Sequence, residues 1–74
     1  MDITRPPTPD EIRALLKKHN ITREKAAGLV HVSLRAMHNW LAPIGTANHR
    51  AMPLAVWELL LIKLDEIDVD TWSQ

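Results

Sequence analysis

The sequence predicts an all-α fold of four to five short helices, with a helix-turn-helix at its centre. Three observations carry that expectation. Residues 21–40 hold two short apolar patterns of helical spacing, each preceded by a hydroxyl residue, Thr22 or Ser33, and separated by about one turn of chain. Ile12, Leu15, Leu16 and His19 fall at i, i+3, i+4 and i+7, which puts them on one helical face. Pro53 opens a long apolar run at the other end of the chain.

Each element follows from local chemistry. Residues 1–7 read as a flexible tail, because Pro6-Pro7 disfavours helix. Thr8 caps the first helix, Pro9 takes its first position, and Glu11 completes a Thr-x-x-Glu capping box. His19-Asn20 ends it. Residues 22–30 and 33–41 are the two central helices. Residues 42–52 form a loop around Pro43 and Gly45. The last helix is expected over 53–66, and residues 68–74 form an acidic tail. The domain as a whole is expected to span 8–67.

The central pair has the composition that a steep helix crossing needs. Ala27, with Ala26 and Gly28 beside it, lets the helices approach closely, and Val32 fills the gap after the turn. Met37 and Trp40, three residues apart, face inward. That leaves Leu34, Arg35, Ala36, His38 and Asn39 outward. Arg bonds guanine bidentately, Asn does the same to adenine, and Leu or Ala meets a thymine methyl group. Arg35 and Asn39 are therefore the first candidates for base contacts, with Leu34 and His38 next. Arg23, Ser33 and Arg50 are candidates for phosphate contacts, with Thr22, Lys17 and Lys18 behind them. Plainer roles stand beside these: Arg35 pairing with Glu24, His38 as a surface residue, Asn39 bonding backbone, and residues 48–50 as an ordinary loop.

This stretch resembles the helix-turn-helix of the Cro and phage-repressor superfamily, in a lambda-repressor-like fold. The resemblance rests on Arg23 at the first helical position, Ala27 four residues on, Val32-Ser33 after the turn, and Met37 and Trp40. The superfamily usually has Gln in place of Arg23 and Gly in place of His31. The Gly serves a turn of positive φ, which His, among non-Gly residues, enters comparatively often. A residue other than Gly costs about 1 kcal/mol there.

A narrower likeness is to the small anti-CRISPR-associated (Aca) repressors of phages and mobile elements. It is carried by residues 15–18 (LLKK), by 21–41, by Arg50 in the polar loop and by the Pro53-initiated last helix. That resemblance implies a homodimeric repressor that binds an inverted repeat in the promoter of an anti-CRISPR operon. An antitoxin or a lysogeny switch on the same fold, and a protein-interaction module that does not bind DNA, are the alternatives.

Charge distribution supports a nucleic-acid partner more than net charge does. The chain has nine basic and nine acidic residues. Between residues 13 and 50, however, seven basic residues (Arg13, Lys17, Lys18, Arg23, Lys25, Arg35 and Arg50) face Glu24 alone, a local net of +6. The acidic residues gather at the two ends. A basic block that coincides with the motif is the expected footprint of contact with phosphates.

On a helical wheel the last helix turns Leu54, Val56, Trp57, Leu60, Leu61, Leu64 and Ile67 to the core. Leu59, Ile62 and Ala55 are left over, and Ile67 and Trp72 extend that strip. A two-fold homodimer through these residues is expected, bound to double-stranded DNA. Other classes find little support. There is no cysteine, which suits a reducing cytoplasm and supplies no thiolate ligand. His31, His38 and His49 lack the spacing of a helical zinc site. No Gly-rich phosphate loop or nucleophile–base pair stands out, so no cofactor, small-molecule substrate or enzymatic activity is expected. The first ten residues lack the apolar run of a signal peptide, and residues 54–64 are too few to span a bilayer.

Overall fold

A computed structural model describes residues 4–67. It holds four helices, α1 (Pro9–Lys18), α2 (Arg23–Leu29), α3 (Leu34–Leu41) and α4 (Leu54–Lys63), and no strands among the described residues. None of these helices is long and apolar enough to cross a membrane.

Three of the four helices start where hydroxyl caps place them. Thr22 accepts from the Lys25 N–H and Ser33 from the Ala36 N–H, each at 3.1 Å. Thr8 and Glu11 form the reciprocal box: the Glu11 N–H donates to Thr8 Oγ1 and the Thr8 N–H to Glu11 Oε1. The exception is α4, whose N-cap is Pro53, with no side-chain cap bond.

Three helices end on the same device. Asn20, His31 and Asp65 have φ of 53, 60 and 60°, in the left-handed region, immediately after the C-caps of α1, α2 and α4. In each case the next residue's N–H reaches back five positions: Ile21 to Leu16, Val32 to Ala27, and Glu66 to Leu61. These are Schellman closures, which satisfy carbonyls the helix leaves unpaired. All three use residues other than Gly. Asp65 also ends α4 at Lys63, three residues short of the expected boundary at 66.

The tail is shorter than the sequence implies. Arg5 holds Glu11 by two bonds, Nη1 to Oε1 at 2.8 Å and Nη2 to Oε2 at 3.1 Å, and Pro7 is buried. Residues 4–7 therefore belong to the folded body, although they are not helical. The Arg5 guanidinium, helped by the Thr8 N–H, holds the Glu11 carboxyl down at a pKa of about 2.

The core gathers side chains from all four helices and one loop. Ile12, Met37, Leu41, Met52, Leu60 and Leu61 are all but completely buried. Ala26 and Ala27 sit between α2 and its neighbours, and α3 packs on both α2 and α1. Arg13 adds a long-range tie: its Nη2 donates to the Leu41 carbonyl, at the open end of α3. Met52 is the anchor of the loop that follows α3.

The outer strip of α4 differs from expectation. Leu59, which the wheel turns outward, is partly buried against the core, as is Ile67, which the wheel turns to the core. Ile62 is half-buried and Ala55 exposed. A ten-residue helix with only two polar residues, packed on a small body, has more than one apolar flank in contact with it. Among the described residues the large hydrophobics that stand exposed are Leu34 (39%) and Ile44 (69%), neither of them on α4. Trp72 and the acidic stretch 68–74 lie outside the described residues.

Candidate nucleic-acid interface

The surface of interest is built on α3 and the ends of the segments around it. Met37, Trp40 and Leu41 are buried and fix the rotation of the helix. Leu34, Arg35 and His38 are then exposed, Asn39 is half-buried, and Ala36 is tucked partly against the core. Among the described residues, the side chains of Arg35 and Asn39 make no hydrogen bond or ion pair. The pairing of Arg35 with Glu24 is thus not formed. Asn39 bonds the fold only through its main-chain carbonyl, which accepts from the Arg50 N–H at 3.0 Å.

The turn that aims α3 has its strained residue where expected, at His31. The Schellman bond from Val32 to Ala27 O, at 3.0 Å, closes it. Val32 packs partly into the core behind the turn. Ser33 then caps α3. Its Oγ accepts from Ala36, which leaves the hydroxyl proton for an outside acceptor. Thr22 is placed in the same way at the start of α2.

Arg23 and His38 are brought together by the packing of α2 on α3. Arg23 Nη1 lies 3.0 Å from His38 Nδ1, and both residues are exposed. Two residues that the sequence assigns to different jobs, phosphate and base, therefore form one unit. They lie fifteen positions apart, so only the helix crossing reveals the pairing.

The loop after α3 is more ordered by its own bonds than its composition implies. Thr46 Oγ1 donates to Pro43 O at 2.7 Å, and His49 Nδ1 donates to Ala42 O at 3.0 Å. Arg50 Nη1 donates to the carbonyls of Ala47 and His49, at 3.1 and 2.7 Å. Arg50 remains exposed, but part of its guanidinium is engaged in holding the loop.

Lys17 and Lys18 part company. Lys17 is exposed and unpaired among the described residues. Lys18 lies 2.7 Å from Glu66 Oε1, which His19 Nε2 also reaches at 2.7 Å. Glu66 has little exposed side chain, and its carboxyl is held below the usual range first by Lys18 and then by His19. Lys18 is therefore occupied at the C-terminal turn rather than presented as a free cation.

A shallow groove of about 320 Å³ is lined by Thr8, Pro9, Asp10, Arg13, Pro43 and Ile44. Its one carboxylate, Asp10, is paired with Arg13 at 3.1 Å. Among the described residues no three His, Cys, Asp or Glu side chains cluster as metal ligands would. No model of a protein family, no curated protein and no solved structure matches the chain.

Proposed function

We propose that the protein is a sequence-specific DNA-binding regulator in which α2, the turn at His31 and α3 act as a helix-turn-helix. The observation that carries this reading is the outer row of α3. A helix rotated firmly by Met37, Trp40 and Leu41 presents an arginine and an asparagine that the fold does not use. These are the side chains that read guanine and adenine edges, set beside an exposed leucine suited to a thymine methyl group. The net +6 between residues 13 and 50 lies on the same part of the chain.

In this reading Arg35 and Asn39 enter the major groove with Leu34 and His38. Ser33, Thr22 and Arg50 bond phosphates, and Lys17 contributes charge. Two copies related by a two-fold axis bind half-sites one helical turn apart, roughly 34 Å. The apolar flank of α4 at Ile62 and Leu59 is the proposed contact between them, narrower than the sequence implies. Repression follows from occupying a promoter. The protein's own operon, of phage or mobile-element type with an anti-CRISPR gene, is the target that the resemblance implies.

Fluorescence anisotropy with DNA from upstream of the gene, and with a scrambled duplex of equal length, tests the reading at two salt concentrations. Specific binding that weakens steeply with salt is expected. Equal weak binding to both duplexes, or none at low salt, overturns it.

A further inference from the structure

The contact between Arg23 and His38 has a chemical consequence for what α3 can read. A guanidinium donates through every one of its N–H groups and accepts through none. At 3.0 Å from Arg23 Nη1, His38 Nδ1 must therefore be the acceptor, with its lone pair free. The neutral ring then carries its proton on Nε2, across the ring from Arg23. Among the described residues that Nε2 has no partner, and the side chain is exposed on the outer row of α3.

We infer that Arg23 fixes His38 as an Nε2–H donor, so that this position of the α3 surface accepts only a hydrogen-bond acceptor on DNA. The inference rests on the DNA-binding reading above. In the major groove the acceptors are purine N7, guanine O6 and thymine O4, whereas adenine N6 and cytosine N4 are donors. Cytosine, which offers only a donor there, is the base this position rejects. A phosphate oxygen is also an acceptor, and the test separates it from a base edge. Arg23 is a positioning residue here as well as a cation: its loss frees the ring to adopt either tautomer.

The molecule carries its own internal reference. His49 Nδ1 lies 3.0 Å from the Ala42 carbonyl, which only accepts, so the neutral His49 ring must be protonated at Nδ1. Two exposed or half-exposed histidines are thus held in opposite tautomers by partners of opposite sense.

Side-chain nitrogen NMR on the free, full-length protein tests the first half without DNA. At about pH 8.5, where imidazole is neutral, His38 is expected to give the Nε2–H pattern and His49 the Nδ1–H pattern. In R23A, His38 is expected to move toward a mixture while His49 stays. An unchanged His38 pattern in R23A, or Nδ1–H in the parent protein, overturns the inference while leaving DNA binding open.

The second half uses anisotropy on the upstream DNA and duplexes changed one base pair at a time. R23A is expected to lose a roughly two- to tenfold preference at the one base pair beside His38, the range of a single hydrogen bond. Uniform weakening at every sequence, with no local loss of preference, overturns the positioning role and leaves Arg23 a phosphate contact. Replacing the guanine there, if it is one, by 7-deazaguanine is expected to abolish the preference. A loss produced instead only by a neutral methylphosphonate shows that the acceptor is a phosphate and overturns base reading. A protein that binds no DNA loses recognition altogether, whatever its tautomer, and that result separates the failure of the DNA reading from the failure of the tautomer.

Discussion

The outer faces of α3 and α4 differ in what they leave to solvent and in how their helices are held. On α3 two of the outward side chains, Arg35 and Asn39, are polar and unspent by the fold. The helix itself is secured at both ends, by Ser33 at its start and by Arg13 on the Leu41 carbonyl at its finish. On α4 nearly every residue is apolar, and the start has no side-chain cap. Even Leu59, which a helical wheel turns outward, lies partly in the core. Both helices bury three side chains, but α3 adds a bond at each end, whereas α4 starts on burial alone. A helix held by one buried face and by its two ends leaves its outward side chains free of structural duty.

The largest effect expected from this contrast is at Leu60. It is fully buried, and L60A should cost about 2–5 kcal/mol through lost burial and a cavity. A chain of this length has roughly 4–11 kcal/mol to lose, so a large part of its stability would go. On the same helix, the half-buried Ile62 should cost about 1 kcal/mol or less when shortened to Ala. Urea unfolding of both variants checks the pair. Equal losses would mean that α4 has no outer face, and the proposed dimer contact would go with it.

Next comes Arg35. R35A should leave the urea midpoint where it is, because no partner is lost. It should nevertheless weaken binding to the upstream DNA by about 1–3 kcal/mol and relax preference at one base pair. If the midpoint moves and the DNA isotherm does not, Arg35 belongs to the fold and the contrast between the two faces breaks.

Much of this was legible locally, and the failures share a cause. Thr8, Thr22 and Ser33 announce helix starts because a cap bond spans only three residues. Met37 and Trp40 announce the inner side of α3 because helical spacing is a short-range pattern. Met52 gives no such signal: it is buried from within a loop, where no period exists. The ties from Arg13 to Leu41, Arg23 to His38 and Lys18 to Glu66 span 28, 15 and 48 residues. They depend on how helices cross, which residue spacing does not encode. The same holds for Leu59, whose burial is decided by the neighbours of α4. The candidate reading residues were legible because they lie within one helix. Their division of labour was not, since it is set by contacts between helices.

The turn into α3 offers a smaller test. His31 pays for its left-handed φ of 60° with steric strain, whereas Asn20, at 53°, is of a residue type that enters this region more readily. H31G should therefore raise stability by about 0.5–1 kcal/mol, after allowing for the greater freedom of glycine in the unfolded chain. N20G should raise it less. Thermal melts of the two variants decide. A loss in H31G would show that the imidazole makes an interaction that outweighs the backbone strain, and the turn would then be a specific support of the α3 face.

Acid gives the gentlest way of separating the two faces. The closure after α4 is held by a carboxylate, whereas the start of α3 is held by an uncharged hydroxyl and main-chain groups. Lys18, and then His19, depress the Glu66 pKa below its ordinary 4.5. A depressed carboxylate contributes stability that is fully present above the unfolded value and is lost as pH falls through the folded one. Glu11, at about 2, obeys the same sign at the entrance of α1. Both contacts are near the surface, so the effect should be modest. Lowering the pH from about 5 toward 2.5 should loosen the Glu66 N–H on Leu61 O before the Met37 N–H on Ser33 O. Hydrogen exchange at these two amides, corrected for the intrinsic rate at each pH, reads the difference. In E66Q, which keeps the shape without a carboxylate to titrate, the acid response of the Glu66 turn should flatten while that of Glu11 persists. If the turn responds to acid as before in E66Q, its stability comes from the Schellman bonds alone, and α4 is held at this end by the same uncharged means as α3.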